Sequence, residues 1–282
     1  MRRLFVAIGM VAVLQGCAVR EPMPADKQTP TLTPRTSTYQ DLLDLPRPRG
    51  QLVAAVYGFR DQTGQYKPSP ASSFSTAVTQ GAASMLVDAM QASGWFIVLE
   101  REGLQNVLTE RKIIRASQAK PDVAPNIQSE LPSLLAANII MEGAIVAYET
   151  NVRSGGLGAR YLGIGVSQEY RVDQVTVNLR AVDVRSGQVL SNVMTTKTIY
   201  SIGRNANVYK FIEFKELLEA EAGYTTNEPA QLCVLSAIEA AVAHLIAQGV
   251  DRRLWQTADH TPAVEARLAK YLNTPATPDA EL

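Results

Sequence analysis

The chain is poor in the residues that most often carry nucleophilic or metal-based chemistry. Its 282 residues include two cysteines and two histidines, and no CxxC pair, nucleophile elbow or His–Glu pair at helical spacing occurs. His244 lies in an apolar helical run and is interpreted as a structural or interface residue, while His260 lies in a polar linker. This inventory predicts a protein that is not an enzyme and binds no metal.

The chain also lacks a nucleotide motif and an excess of charge of either sign. The glycines at 155–165 leave a four-residue gap from Gly158 to Gly163, but Ile164 and Gly165 stand where a phosphate loop needs Lys and Ser or Thr. Lysine and arginine number 27, as do aspartate and glutamate. A nucleic-acid-binding protein would normally show a basic face or tail, so nucleic acid is not expected as a partner.

Long apolar runs are absent outside the N-terminus, so no helical membrane span is expected in the mature chain. Arg2 and Arg3 precede an apolar stretch that ends in LQGC at 14–17. This pattern is typical of a signal peptide over 1–16 with a lipobox, in which Cys17 receives diacylglycerol and an N-acyl chain. A plain signal peptide with a chance cysteine is the alternative.

Lipidation of Cys17 would define both the location of the chain and its cysteine chemistry. Ala18, rather than Asp, follows the cysteine and favours sorting to the outer membrane of a Gram-negative bacterium, with the main domain in the periplasm. Cys233 then remains alone, so we expect no intrachain disulfide and an inert, buried thiol. No cofactor other than the covalent lipid is expected.

The rest of the chain alternates between strand and helix patterns. Residues 17–50 are rich in Pro and Thr and are interpreted as a tether or wrapping arm. From residue 51 onward, the pattern predicts an α/β sheet covered by helices. Strands are predicted at 51–59, 95–100, from 139, 172–184 and 188–201, the last pair with a bulge near Val182 and a turn at 185–187, and helices at 76–94, 103–117, 133–137 and 228–249.

Two segments, 152–172 and 202–226, do not fit a simple α/β pattern. Both contain alternating stretches and could each supply two strands of about ten residues, the length of a membrane β-strand. A flexible Gly-rich loop is the alternative for the first segment. For the second, Phe211, Phe214 and Leu218 also fit helical spacing, so periodicity alone favours a helix over 208–222.

The loop GQYKPSPASSFSTAV at 64–78 contains one large apolar residue, Phe74, among prolines and small polar residues. Phenylalanine occurs six times in the chain, so its presence in a segment without other core residues requires a reason. The ring either anchors the loop to the core or is exposed for a function.

Several unusual strings together resemble the family of curli secretion channels. They occur in the family's order and cover nearly the whole mature chain: LVAAVYGFRDQTGQYKPSPASSFSTAV (52–78), WFIVLEREGLQNVLTERKIIR (95–115), NVRSGGLGARYLGIG (151–165), LLEAEAGYTTNEP (217–229) and CVLSAIEAAVAHLI (233–246). The resemblance implies an α/β (α+β) periplasmic domain over 51–282. It also implies that two β-hairpins per subunit, at about 152–172 and 202–226, complete a large multi-subunit transmembrane β-barrel in a ring expected to be nonameric.

The resemblance, combined with the alternation, assigns faces to the hairpins. Positions expected to line a wet lumen are Arg153, Glu169, Lys210, Glu213, Glu219 and Glu221. Positions expected to meet lipid are Leu162, Ile164, Val166, Tyr209, Phe211, Leu218 and Tyr224.

The resemblance also gives the loop at 64–78 a role, as the narrowest ring of the pore. The family's tyrosine, asparagine and phenylalanine at this ring fall on Ser69, Ser73 and Phe74, and only the phenylalanine is kept. Two of the three positions are therefore smaller in this chain, which leaves the width of the constriction open.

The mechanism implied is diffusive export of unfolded curli subunits from the periplasm to the cell surface, without a nucleotide motor. The implied partners are other copies of the chain, the curli subunits, a periplasmic capping factor, a surface accessory factor and outer-membrane lipid. The alternative is an outer-membrane-anchored periplasmic adaptor that binds partners without forming a pore, and an enzyme is a third hypothesis.

Overall fold

The apolar stretch after the N-terminal arm forms strand β1 (Leu52–Asp61), in which Ala54, Ala55 and Val56 are buried. Small and β-branched side chains suit a strand covered on both sides. The computed structural model describes residues 32, 35–67, 75–118, 131–155, 168–205, 208–212 and 229–272. Helix α1 (Ser37–Leu43) precedes β1.

The N-terminal half of the domain is a parallel unit. Helix α2 (Ala82–Ala92) leads from β1 to strand β2 (Phe96–Glu100), which pairs parallel with β1 on one side. Helix α3 (Leu104–Gln118) follows, and strand β3 (Ile139–Gly155) then pairs parallel with β1 on its other side. The predicted strands of this half and its helices at 76–94 and 103–117 are present, with shifted bounds.

The C-terminal half of the sheet is antiparallel. Strands β4 (Gln168–Asp183), β5 (Val189–Asn205) and β6 (Val208–Ile212) extend the sheet to the order β2–β1–β3–β4–β5–β6. The predicted bulge is confirmed by a register shift between Ala181 and Val182. The predicted turn is also confirmed, with Gly187 at φ +71° and the Asp183 N–H donating to the Gln188 carbonyl at 2.9 Å.

Helix α4 (Pro229–Asp251) covers one face of the sheet and packs against β4 and β5. It is long and apolar enough to cross a membrane by length and composition, but 72% of its most apolar window is buried inside the domain. The helix is therefore a core element. Cys233 is fully buried on it, as predicted, and the half-buried His244 contacts the Tyr271 carbonyl through Nδ1 at 2.7 Å, a structural role.

The fold differs from the sequence prediction in helix α1, in helix α5 (Pro262–Leu272) and at residues 133–137. Helices α1 and α5 lie in segments for which no helix was predicted. The helix predicted at 133–137 is wrong, because residues 131–137 have no regular structure. The Leu134 and Leu135 side chains are exposed there, and arginine side chains, rather than helical N–H groups, donate to the Pro132 and Leu135 carbonyls.

Helix α1 docks on α4 through a buried carboxylate. Glu239 is 1% exposed, and its Oε2 accepts hydrogen bonds from the Thr36 and Thr38 hydroxyls, the latter at 2.6 Å. The Ser236 hydroxyl oxygen lies 3.1 Å from the Thr38 hydroxyl oxygen. Burial raises the pKa of Glu239, opposed by the two threonine hydrogen bonds, and the nearby Asp88 adds to the rise.

The Glu239 contact predicts a pH-dependent contribution to stability. The pKa of Glu239 is higher in the folded state than in the unfolded state. Its contribution to the free energy of unfolding is therefore fully present below the unfolded-state pKa and is lost as the pH rises through the folded-state pKa. We therefore expect the free energy of unfolding of the wild type, relative to Glu239→Gln, to fall as the pH rises from about 4.5 toward neutrality. Denaturant titrations across this range measure the difference. Parallel curves for the two proteins would refute the prediction. Glu110→Gln, which removes an exposed carboxyl from α3, is the matched control and should give a curve parallel to the wild type.

Candidate constriction loop and strand extensions

The loop at 64–78 is closed by a short antiparallel stem. The Lys67 N–H donates to the Ser75 carbonyl at 2.8 Å, and the Ala77 N–H donates to the Gln65 carbonyl at 2.9 Å. Tyr66 and Thr76 form the bridge between these two bonds. The stem therefore fixes both ends of a seven-residue tip, 68–74, which lies outside the described residues.

The base of the stem is fixed to the end of β1. Asp61 Oδ1 accepts hydrogen bonds from the N–H and the hydroxyl of Thr63, at 2.9 and 2.7 Å. Its Oδ2 accepts one from the Gln80 side chain at 3.2 Å. Gly64 turns the chain at φ +64°, where other residues are strained, and the returning arm ends on the buried Val78. The loop thus leaves and re-enters the fold at defined points.

The stem also corrects the start of the helix predicted at 76–94. Helix α2 begins at Ala82, because Thr76 and Ala77 belong to the stem and cannot also join a helix. Its end agrees with the prediction, since Gly94 at φ +68° follows the last helical turn.

The three predicted constriction residues, Ser69, Ser73 and Phe74, lie within 68–74 and so outside the described residues. Their roles stay predictions. Sequence reasoning missed the two residues that fix the stem, Asp61 and Gln80. The Asp-x-Thr-Gly string at 61–64 was a signal for the first of them, since aspartate commonly accepts a hydrogen bond from the backbone two residues on.

Removing the Asp61 carboxylate is expected to loosen the stem. In Asp61→Ala, the loss of hydrogen bonds from Thr63 and Gln80 should cost about 1–2 kcal/mol of local stability. Amide hydrogen exchange at Lys67 and Ala77 should then be about 5–30 times faster. Asp88→Ala, which removes an exposed carboxylate from α2, should leave these two amides unchanged. Equal exchange in Asp61→Ala and the wild type would contradict the account of the stem.

Strands β3, β4 and β5 continue past the point at which the pairing of β1 with β3 ends, and β6 pairs with the continued part of β5. The pairing of β1 with β3 ends at Asp61–Ile145, whereas β3 and β4 stay paired to Gly155–Gln168. In the predicted hairpin 152–172, residues 152–155 and 168–172 are therefore paired strands. For these residues the strand prediction is confirmed over the alternative of a flexible loop. Its predicted lipid-facing positions Leu162, Ile164 and Val166 lie outside the described residues.

The second predicted hairpin, 202–226, is described in its first part. Strand β5 runs to Asn205, and Val208–Ile212 pairs back on it as β6. The helix that periodicity favoured over 208–222 is therefore wrong for residues 208–212, because backbone pairing with β5 overrides the helical spacing of side chains. The predicted positions Glu213, Leu218, Glu219, Glu221 and Tyr224 lie outside the described residues.

Backbone register relates the remaining predicted pore positions. Arg153 pairs with Tyr170, Tyr170 with Ile202, and Ile202 with Lys210, so Arg153 and Lys210 belong to one row across four strands. Glu169 pairs with Ser154, one position out of that row. In β6, Tyr209 pairs with Gly203 and Phe211 with Ser201. The assignment of these positions to lumen or lipid stays a prediction.

In the described residues, fold and site together define an α/β domain that carries a stem-closed loop and a four-stranded antiparallel extension of its sheet. The model of one family, the curli production assembly/transport component CsgG, matches residues 35–275. The chain belongs to this family.

Curated relatives agree with this assignment. The chain is 50% identical over 280 residues to the curli production assembly/transport component CsgG of Escherichia coli K12, covering 99% of this chain and 100% of the relative. The same values hold for the component of that name from Salmonella typhimurium LT2. Among solved structures, the hypothetical protein CT253 from Chlamydia trachomatis is 12% identical over 53% of this chain and 73% of its own, with a TM-score of 0.30, a likeness too low to carry an argument.

Family membership gives the chain a role in curli secretion, which is a process of the Gram-negative cell envelope. Membership also implies that the chain acts together with other components of the curli system. The family is one of transport components and is not a known enzyme family.

Proposed function

We propose that copies of this chain assemble into an outer-membrane channel through which unfolded curli subunits diffuse from the periplasm to the cell surface. The observation that carries the proposal is the extension of β3 to β6 past the core, since both predicted membrane segments begin there as paired strands. The start of the extension is buried in the domain at Tyr148, Val175 and Ile199. A bilayer would cover one face of the strands beyond it.

Assembly follows from the edges of this ribbon. Within the described residues, β3 from Ala147 onward pairs only with β4, and β6 pairs only with β5. Open strand edges are not tolerated in hydrocarbon, because their N–H and C=O groups would lack partners. Joining the β6 side of one copy to the β3 side of the next would satisfy both edges. A closed ring results, which we expect to contain nine copies.

The stem at 65–77 would hold the loop tips toward the ring axis. A Phe74 side chain from each copy would then form an aromatic collar, flanked by the small residues Ser69 and Ser73. An apolar collar hinders the passage of small polar solutes while offering few strong contacts to an unfolded chain. Transport would need no nucleotide, and confinement of substrate by a periplasmic capping factor would favour outward movement.

The lipid on Cys17 would fix each subunit to the membrane. Several acyl chains, at about 0.8 kcal/mol per buried CH₂, make a tether that is effectively permanent. A surface accessory factor and outer-membrane lipid complete the expected set of partners.

Complementation tests this function. In Gram-negative cells that lack their own curli channel, expression of the chain should restore amyloid fibres at the surface, measured by dye binding and electron microscopy. Cys17→Ser should abolish the restoration while leaving the protein in the periplasm. Correctly localised protein that restores no export would remove the channel function and favour the adaptor alternative.

A further inference from the structure

The sheet face opposite α4 contains a hollow of about 340 Å³ over strands β1, β3 and β4. The residues that shape it and carry its chemistry are Tyr57, Gly58, Arg60, Glu142, Asn178 and Arg180. The hollow lies close to the start of the loop stem. Gln62, which follows β1 and leads into the stem, is still held beside β3, because its N–H donates to the Ile145 carbonyl at 2.9 Å.

The hollow exists because its floor lacks large side chains. In the sheet register, Gly58 pairs with Glu142, and Arg60 pairs with Ala144. A Cβ atom built on Gly58 would meet nothing within 4 Å. Larger side chains surround this gap on both sides, with Tyr57 about half exposed at the bulge of β1.

The hollow has two arginine side chains but only one carboxylate. Arg180 donates from Nε and Nη2 to a single Glu142 oxygen, at 3.0 and 2.6 Å, so these two charges compensate each other. Arg60 is exposed and, within the described residues, has no hydrogen bond or ion pair. The Asn178 Nδ2 donates to Asn192 at 2.8 Å, which leaves its carbonyl oxygen available as an acceptor. The hollow thus offers one uncompensated guanidinium beside an amide acceptor.

We propose that this hollow binds an acidic side chain of an extended peptide, with Arg60 pairing the carboxylate and Asn178 accepting a hydrogen bond from the peptide backbone. A guanidinium recognises a carboxylate through two parallel hydrogen bonds. The Tyr57 ring packs against the aliphatic part of the peptide. The size of the hollow, at the low end for ligand sites, fits a short stretch of chain.

The inference deepens the proposed channel and rests on it for the identity of the ligand, an exported unfolded chain. Binding to an exposed arginine is weak, and a weak site suits a chain that must move on. The position beside the stem would hold acidic stretches of the substrate next to the candidate constriction before they enter it.

Peptide binding to the full-length lipidated chain in detergent tests the proposal. The probe is a dye-labelled, N-acetylated and C-amidated octapeptide of alternating glutamate and serine, followed by fluorescence anisotropy. A peptide with glutamine in place of glutamate should bind about tenfold more weakly, as should the glutamate peptide to Arg60→Gln. Arg252→Gln removes an exposed arginine that directly follows α4 and should bind like the wild type.

A second variant addresses the hollow without touching a charge. Gly58→Leu fills the open space and should reduce binding about as much as Arg60→Gln, with unchanged assembly size. Equal binding of the two peptides, or wild-type binding by both variants, would overturn the proposal. A change in assembly size in Arg60→Gln would instead assign the hollow to a second copy of the chain and overturn it as well.

The channel and the hollow can fail separately. A protein that conducts ions but does not distinguish the two peptides would retain the channel and lose the peptide site. A protein that distinguishes the peptides without conducting would lose the channel and keep the peptide-binding assignment.

Discussion

Phe74→Ala is expected to raise the single-channel conductance of the assembled protein while leaving its fold intact. Removing the ring widens the narrowest part of the proposed pore, because Ser69 and Ser73 are already small. The free energy of unfolding should change by no more than about 0.5 kcal/mol, as for an exposed residue. Conductance in planar bilayers and denaturant titration of the same preparation measure both quantities.

Phe59→Ala is the matched control, since Phe59 is a core phenylalanine that is 5% exposed on β1. Its loss should cost about 3–5 kcal/mol of stability. If Phe74→Ala costs as much as Phe59→Ala, then Phe74 anchors the core and the pore collar is wrong. The reverse change is informative too: Ser69→Tyr with Ser73→Asn should lower the conductance.

Gly143→Ala is expected to destabilise the paired region of β1 and β3, from which both the loop and the strand extension start. A Cβ atom on Gly143 would lie 2.6 Å from Cδ2 of the Phe59 ring and 2.8 Å from the backbone oxygen of Asn178. The backbone oxygen is held in the β3–β4 ladder, so the clash can be relieved only by moving strands. Overpacking of this kind costs about 1–3 kcal/mol.

Gly58→Ala is the matched control on the neighbouring strand, because its new methyl group would meet open space. Its free energy of unfolding should stay within about 0.5 kcal/mol of the wild type. Urea titrations of both variants make the comparison. Equal stability of Gly143→Ala and Gly58→Ala would show that β1 and β3 are not packed as described.

Much of the sheet was predictable because its strands are long and strongly patterned. The alternation in 172–184 and 188–201 marks a hairpin with one buried face, and the turn and bulge followed from the same pattern. Helix α1 was not predictable in this way. Its seven residues are too few for a periodic signal, and it depends on Thr36 and Thr38 meeting Glu239 about 200 residues later.

The candidate site, too, has parts that the sequence predicts and parts that depend on contacts between distant residues. The identity of the loop and the two hairpins came from unusual strings read together, whereas local periodicity alone favoured a helix at 208–222. The contact from Gln80 to Asp61 depends on how the chain returns to β1 after the loop. The hollow at Gly58 depends on the register between β1 and β3. Neither leaves a local sequence pattern, so both required the structure.

The most direct test of the channel is single-channel recording of the purified, lipidated chain in planar bilayers. We expect discrete, uniform conductance steps from the wild type and larger steps of equal uniformity from Phe74→Ala. Protein that inserts into the bilayer as a ring but never conducts would contradict the central claim.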